Sequence, residues 1–276
     1  MRLPIPLLAR ILAQILVLAV VSNTAAGSDW HAEENVEPPA ASTLSYVGEA
    51  RRLDGGELLY REFHQLTLAG ADPHSADGMN NTSRPLTRHV EYRAPDGTLI
   101  ARKINDYRDS PLLPDFTLED DRRGYREQLT VRDGELTMAF AEGGSAESVK
   151  RFRRLPELAV ADAGFDELVR SQWPRLLLGR SLTFEFASVA RQDFIAFEVQ
   201  KKSESADRLT LAMSLASPWL TWLLDDIELE YDKNTRRLLV YRGLTNITDA
   251  SGAYYSAEIR YQYPDYSSSI QNSAAQ

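Results

Sequence analysis

The chain of 276 residues contains no cysteine. That one absence removes disulfides, thiol nucleophiles and cysteine-ligated metals. It also excludes a lipid-modified cysteine after the N-terminal apolar stretch. A β-rich chain of this length needs no disulfide staples, because it can bury a core of its own. Histidine is scarce as well. His31, His64, His74 and His89 are the only four, no two lie at i, i+2 or i, i+4, and there is no H-E-x-x-H. Zinc sites use three or four ligands, so no metal is assigned and the histidines are expected as scattered surface or half-buried residues. Five lysines stand against 26 arginines, and acids outnumber both to give a net charge of −9. Such a balance argues against unspecific nucleic-acid binding and against attraction to anionic lipid headgroups, the basic run KRFRR (150–154) notwithstanding. Nucleophile elbows, S-x-x-K and phosphate-cradling glycine loops are all missing, so neither catalytic residues nor a cofactor is assigned.

Long apolar runs are missing too, with one exception. MRLPIPLLAR carries Arg2 and Arg10, Ile11–Val21 is apolar, and SNTAAG supplies small residues. That order is the one found in a cleaved secretory signal. An uncleaved anchor would need about 20 apolar residues, and Arg10, Gln14 and two prolines interrupt this segment. Residues 1–26 are therefore expected to be a signal peptide and the mature chain to be periplasmic or secreted, with no membrane span after cleavage. Loss of Arg2 and Arg10 would take the net charge to −11. Residues 27–43 are acidic and Pro/Ala-rich, which reads as a flexible leader. Residues 44–264 read as a single β-rich domain, and 265–276 as a disordered tail.

What is present is period two. LDGGEL (53–58), PDGTL (95–99) and RDGEL (132–136) each set Asp-Gly between β-compatible runs, the signature of a hairpin. YVGEARR should pair with ELLYREF, TRHVEYR with TLIARKI, and EQLTV with ELTMAF. In the second half, Leu182, Phe184 and Phe186 share a face, as do Leu209, Leu211, Met213 and Leu215. So do Ile227, Leu229 and Tyr231, and then Tyr255, Ala257, Ile259, Tyr261 and Tyr263. Alternation of this kind marks antiparallel sheet with one wet side. A single helix is expected in DAGFDELVRSQW, with Asp162 as N-cap and Phe165, Leu168, Val169 and Trp173 as its apolar stripe. Pro174 should end or kink it, and Gly179 should cap a short further turn. The fold class is mainly β: an antiparallel curved sheet or open barrel with one amphipathic helix on its concave face.

Two acidic stretches invite a catalytic reading. LEDDRRGYRE (118–127) mixes Glu119, Asp120, Asp121 and Glu127 with three arginines. It lacks calcium-loop spacing, and acids alternating with arginines form solvated ion pairs. In WLTWLLDDIELEYD (219–232), Glu228, Glu230 and Asp232 fall on the outward face of a strand by period two. A polysaccharide-acting enzyme using Asp225 or Asp120 would need two carboxyls facing each other across a cleft. Aromatic and aliphatic side chains offer the sharper candidates for a hydrophobic ligand: Trp219, Trp222, Phe184, Phe186, Leu211, Met213 and Trp173.

PDFTLEDDRRGYRE (114–127), GFDELVRSQWPRLLLGRSLTFEF (164–186) and IELEYDKNTRRLLVYRGLTNI (227–247) together resemble an uncharacterised family of secreted proteobacterial proteins. That resemblance implies an exported bacterial protein and brings no catalytic residue with it. In layout alone, the pattern is similar to the half-barrels of lipoprotein carriers. The functional expectation is a non-catalytic protein that binds or carries a lipid or acyl chain, with an envelope scaffold meeting a partner protein as the alternative.

Overall fold

The computed structural model describes residues 41–54, 56–69, 84–217, 226–249 and 251–264. The expected signal peptide, His31, His74, Trp219, Trp222, Asp225 and the tail lie outside these residues. β1 begins at Ala41, inside the stretch expected as leader. Among the described residues, no helix is long and apolar enough to cross a membrane.

Fifteen strands form one sheet. In the N-terminal half these are β1 (Ala41–Arg52), β2 (Leu58–Ala69), β3 (Arg84–Arg93), β4 (Leu99–Asp106), β5 (Asp115–Asp120), β6 (Tyr125–Arg132), β7 (Glu135–Ala141) and β8 (Ser148–Phe152). The C-terminal half holds β9 (Ala159–Val160), β10 (Leu182–Ser188), β11 (Asp193–Glu204), β12 (Arg208–Leu215), β13 (Ile227–Asp232), β14 (Leu238–Thr248) and β15 (Tyr254–Gln262). Their spatial order is β8 back to β1, then β15 back to β9. Each half is thus a meander, and the first and last strands pair in the middle, Ala50 opposite Ile259. Every pairing is antiparallel except the short β9–β10 one.

The three Asp-Gly hairpins form as the sequence predicts. Only the third carries positive φ at both turn residues, 51° at Asp133 and 76° at Gly134. This fits the two-residue connection between Arg132 and Glu135. Bulges at Ala50/Arg51, Thr67/Leu68, Tyr92/Arg93 and Lys201/Ser203 bend the strands, which supplies curvature.

The sheet curls until its two edges approach, yet among the described residues no strand ladder closes it. Side chains bridge the seam instead. Gln192 donates from Nε2 to the carbonyls of Met138 (3.2 Å) and Ser148 (2.9 Å). Phe152 meets Phe194 edge to face at 5.1 Å, over a cluster that includes Leu129, Leu136 and Met138.

Two helices sit inside the curl, where the sequence predicted one: α1 (Gly164–Ser171) and the short α2 (Trp173–Leu177). Pro174 starts the second helix rather than ending the first, because proline is tolerated in a first helical turn. Gly179, at φ 72°, closes the turn, its amide donating to the Leu176 carbonyl. Leu168, Val169, Trp173 and Leu176 are buried against Leu182, Phe184, Val199, Leu209 and Leu211. Phe165 packs its ring 5.3 Å from Phe184. The predicted apolar stripe therefore does face the concave side of the sheet.

Candidate functional site

Between α1 and the sheet lies a cavity of about 440 Å³, within the ~300–1,000 Å³ usual for small-molecule sites. Its two walls differ. The C-terminal half contributes Phe186, Phe197, Met213, Ile227, Leu229 and Leu238. These are the inward positions of β10 to β14, as alternation predicts. The N-terminal half contributes Glu62, His64, Arg88, Tyr92, Lys103 and Glu127 from β2, β3, β4 and β6.

Entry to α1 is what makes the polar wall tolerable. Gly164 sits so close to the preceding loop that a Cβ there would lie 2.2 Å from the Leu112 carbonyl oxygen. That approach lets the Ala161 amide donate to the same carbonyl at 2.9 Å. Asp162 is held at φ 42°, in the left-handed region that aspartate tolerates better than most residues. Its carboxylate accepts from Lys103 Nζ at 3.0 Å and from the Asn105 amide at 2.8 Å. Asp162 is therefore not the N-cap that its sequence position suggested. Ala163 takes that place, with no side-chain cap bond, because the aspartate is engaged across the barrel.

One turn later, Asp166 accepts from Arg88 of β3 (3.3 Å) and from the Tyr231 hydroxyl of β13 (3.0 Å). Arg170 lies 3.5 Å away on the same helix. A single side chain thus ties α1 to both halves of the sheet.

Electrostatics follows from burial and pairing. Burial works against the charge on Asp162, but Lys103 and Asn105 more than reverse it and hold the carboxyl below its ordinary value. Burial also opposes ionisation of Asp166, and Arg170 and Arg88 again overcome it. Glu127 is different. Burial raises it to about 7, with Asp162 adding to the rise, while the hydrogen bond from the Tyr125 hydroxyl and the charge of Lys103 only partly offset it. His64 is driven below its usual value by burial, against the pull of Glu62. Its Nε2 lies 2.9 Å from Glu62, and its ring stacks on Tyr46 at 4.4 Å.

The predicted site residues divide. Phe186 and Met213 line the cavity. Phe184, Leu211 and Trp173 are buried behind the wall, packed in the core beneath α1 and α2. The expectation for the histidines is corrected at His64, which is 6% exposed and faces the interior. The solvated reading of residues 118–127 holds for Glu119 and Arg126, half-exposed partners at 3.4 Å. It fails for Asp120, which is buried and receives the Arg122 amide and guanidinium. It fails also for Glu127, which lines the cavity. Sequence reasoning missed the whole polar wall. The signal was there in β2, where Tyr60, Glu62, His64, Leu66 and Leu68 share one face and all are buried.

Geometry defines a mainly β, open-barrel protein with a helix-filled concave face and a two-walled cavity. No protein-family model matches the chain, and no curated protein matches it. Among solved structures it is similar to a beta-barrel-like protein of the domain of unknown function DUF1849 from Brucella abortus. The TM-score is 0.38 at 8% identity, over 83% of this chain and 97% of that one.

Proposed function

We propose that this chain is an exported, periplasmic or secreted protein that binds or carries a lipid or other amphiphile in the cavity under α1, without catalysing a reaction. The observation that carries the reading is the hollow itself. A strongly curved sheet with a helix on its concave face could have been filled by side chains, yet about 440 Å³ stays open beside apolar wall residues such as Phe186, Phe197 and Leu229. Apolar surface lining a cavity gains from covering by a hydrophobic ligand.

The scaffold alternative finds less support. Exposed large apolar side chains among the described residues (Leu53, Phe63, Ile104, Val149, Leu178, Leu244 and Tyr254) are spread over five strands and two loops. Scattered single residues of this kind are ordinary surface. For the polysaccharide reading, Asp120 is already committed to Arg122. Native mass spectrometry of the full chain, isolated from its own host without detergent, tests the proposal. An added mass of lipid size that leaves on collisional activation is expected. A bare chain that also fails to take up an alkyl probe would contradict it.

A further inference from the structure

The charges in the cavity wall do not balance, and the imbalance points to the ligand's polar end. Both cations there are already matched: Lys103 by Asp162 at 3.0 Å and Arg88 by Asp166 at 3.3 Å. Arg88 has an unpartnered Nε, but its charge is met. Two acids have no such match. Glu62, 5% exposed, has only His64 within ion-pairing range. Glu127 has only the Tyr125 hydroxyl as a hydrogen-bond partner. His64 does not add a third acceptor to the cavity, because its Nδ1 is sealed from it. With Nε2–H donated to Glu62, its Nδ1 is a bare acceptor, buried and without a partner. By formal charge, Glu62, Asp162 and Asp166 against Arg88 and Lys103 leave one negative charge, and ionised Glu127 would add a second.

Resting on the ligand-binding reading above, we infer that the cavity selects an amphiphile with a cationic, hydrogen-bond-donating end, such as a primary ammonium, over one ending in carboxylate or phosphate. The tail lies against Phe186, Phe197, Met213 and Leu229 and the ammonium against Glu127, while Glu62, four strands away on β2, adds to the negative field of the wall. Buried acids gain most from a partner that supplies both charge and donors. An anionic end would meet two carboxyls without a cation, and the one free donor on the cations, Arg88 Nε, belongs to a guanidinium whose charge Asp166 already meets.

Binding of an ammonium should pull the proton from Glu127 into solvent, so affinity should rise with pH. The groups facing Glu127 are Tyr125 on its own strand, Lys103 from β4, Asp162 before α1 and Tyr254 from β15. Lys103 is held charged and Asp162 ionised by their mutual pairing, which leaves Glu127 as the group whose charge changes near neutrality.

Calorimetric titration of the full chain with dodecylammonium, dodecanoate and dodecanol, each below its aggregation limit, tests the inference. At pH 8 dodecylammonium should bind about tenfold more tightly than dodecanoate, and about fivefold more weakly at pH 5.5 than at pH 8. Glu127→Gln should erase most of that preference and Glu62→Gln a smaller part, with urea unfolding titrations showing both variants to be folded. Dodecanoate binding as tightly as dodecylammonium overturns the inference and leaves the ligand-binding reading standing. Failure of all three to bind overturns both.

Discussion

Strand β4 turns Ala101, Lys103 and Asn105 toward the interior, while β12 turns Leu209, Leu211 and Met213 there. Both strands obey the same period-two geometry, and both bury what they turn inward. The apolar side is self-sufficient, because it would pack against any amphipathic helix of the right size. The polar side is not. Lys103 and Arg88 are stable inside only because α1 delivers Asp162 and Asp166 to them. The helix therefore has two jobs. Its stripe covers the apolar half, and its acidic entry neutralises the polar half. What remains uncovered between them is the cavity.

The sharpest way to break this contrast is to remove one of the matched charges. Lys103→Met leaves Asp162 buried without its cation and should cost ~3–5 kcal/mol of unfolding free energy, measured by urea titration. Adding Asp162→Asn should recover most of the loss. A single-variant cost under ~1 kcal/mol would mean that the pair is effectively solvated.

On the apolar side, position relative to the hollow should decide the cost. Leu211→Ala creates a new void in a closed cluster and should lose ~2–4 kcal/mol. Met213→Ala, at the cavity wall, should lose ~1 kcal/mol or less, since its side chain already borders empty space. Equal costs would argue that no hollow exists beside Met213.

Within the polar side, the acids should respond oppositely to pH. Glu127 has its folded value raised from 4.5 to about 7, so the folded state holds this proton more tightly than the unfolded chain. The resulting stability is complete below pH ~4.5 and is lost as pH rises through about 7. Allowing for water in the cavity, ~1–3 kcal/mol should be lost across that window, and Glu127→Gln should flatten the slope. Asp162 and Asp166 are held below 3.8. Their contribution is present above that value and disappears only in more acid solution, giving a dome. At the small end, Glu119→Ala on the outer face should change stability by less than ~0.5 kcal/mol.

Much of this was legible in the sequence, and the residues explain where legibility stopped. Asp-Gly turns, alternating runs and the α1 stripe carry their own local signals, so the mainly β open barrel and the apolar wall could be anticipated. Period two says that neighbours face opposite ways. It does not say which way is in when both faces are mixed. In β4, Ala101, Lys103 and Asn105 compete with Arg102 and Ile104, and the set with two polar members is the one buried. Lys103 is met by Asp162, 59 positions away in sequence, as Arg88 of β3 is by Asp166, 78 positions away. No local pattern links them. Asp162 before a helix reads as a cap for the same reason, because its real partners come from another part of the chain.

The central claim is that ligand enters the hollow between the two walls, and two methionines can test it directly. Met213 borders the cavity, whereas Met138 is fully buried in the seam cluster and does not itself line it. With methyl-labelled methionine, titration with dodecylammonium followed by NMR should shift the Met213 resonance saturably and leave Met138 in place. Saturable binding that leaves Met213 unmoved would contradict the account.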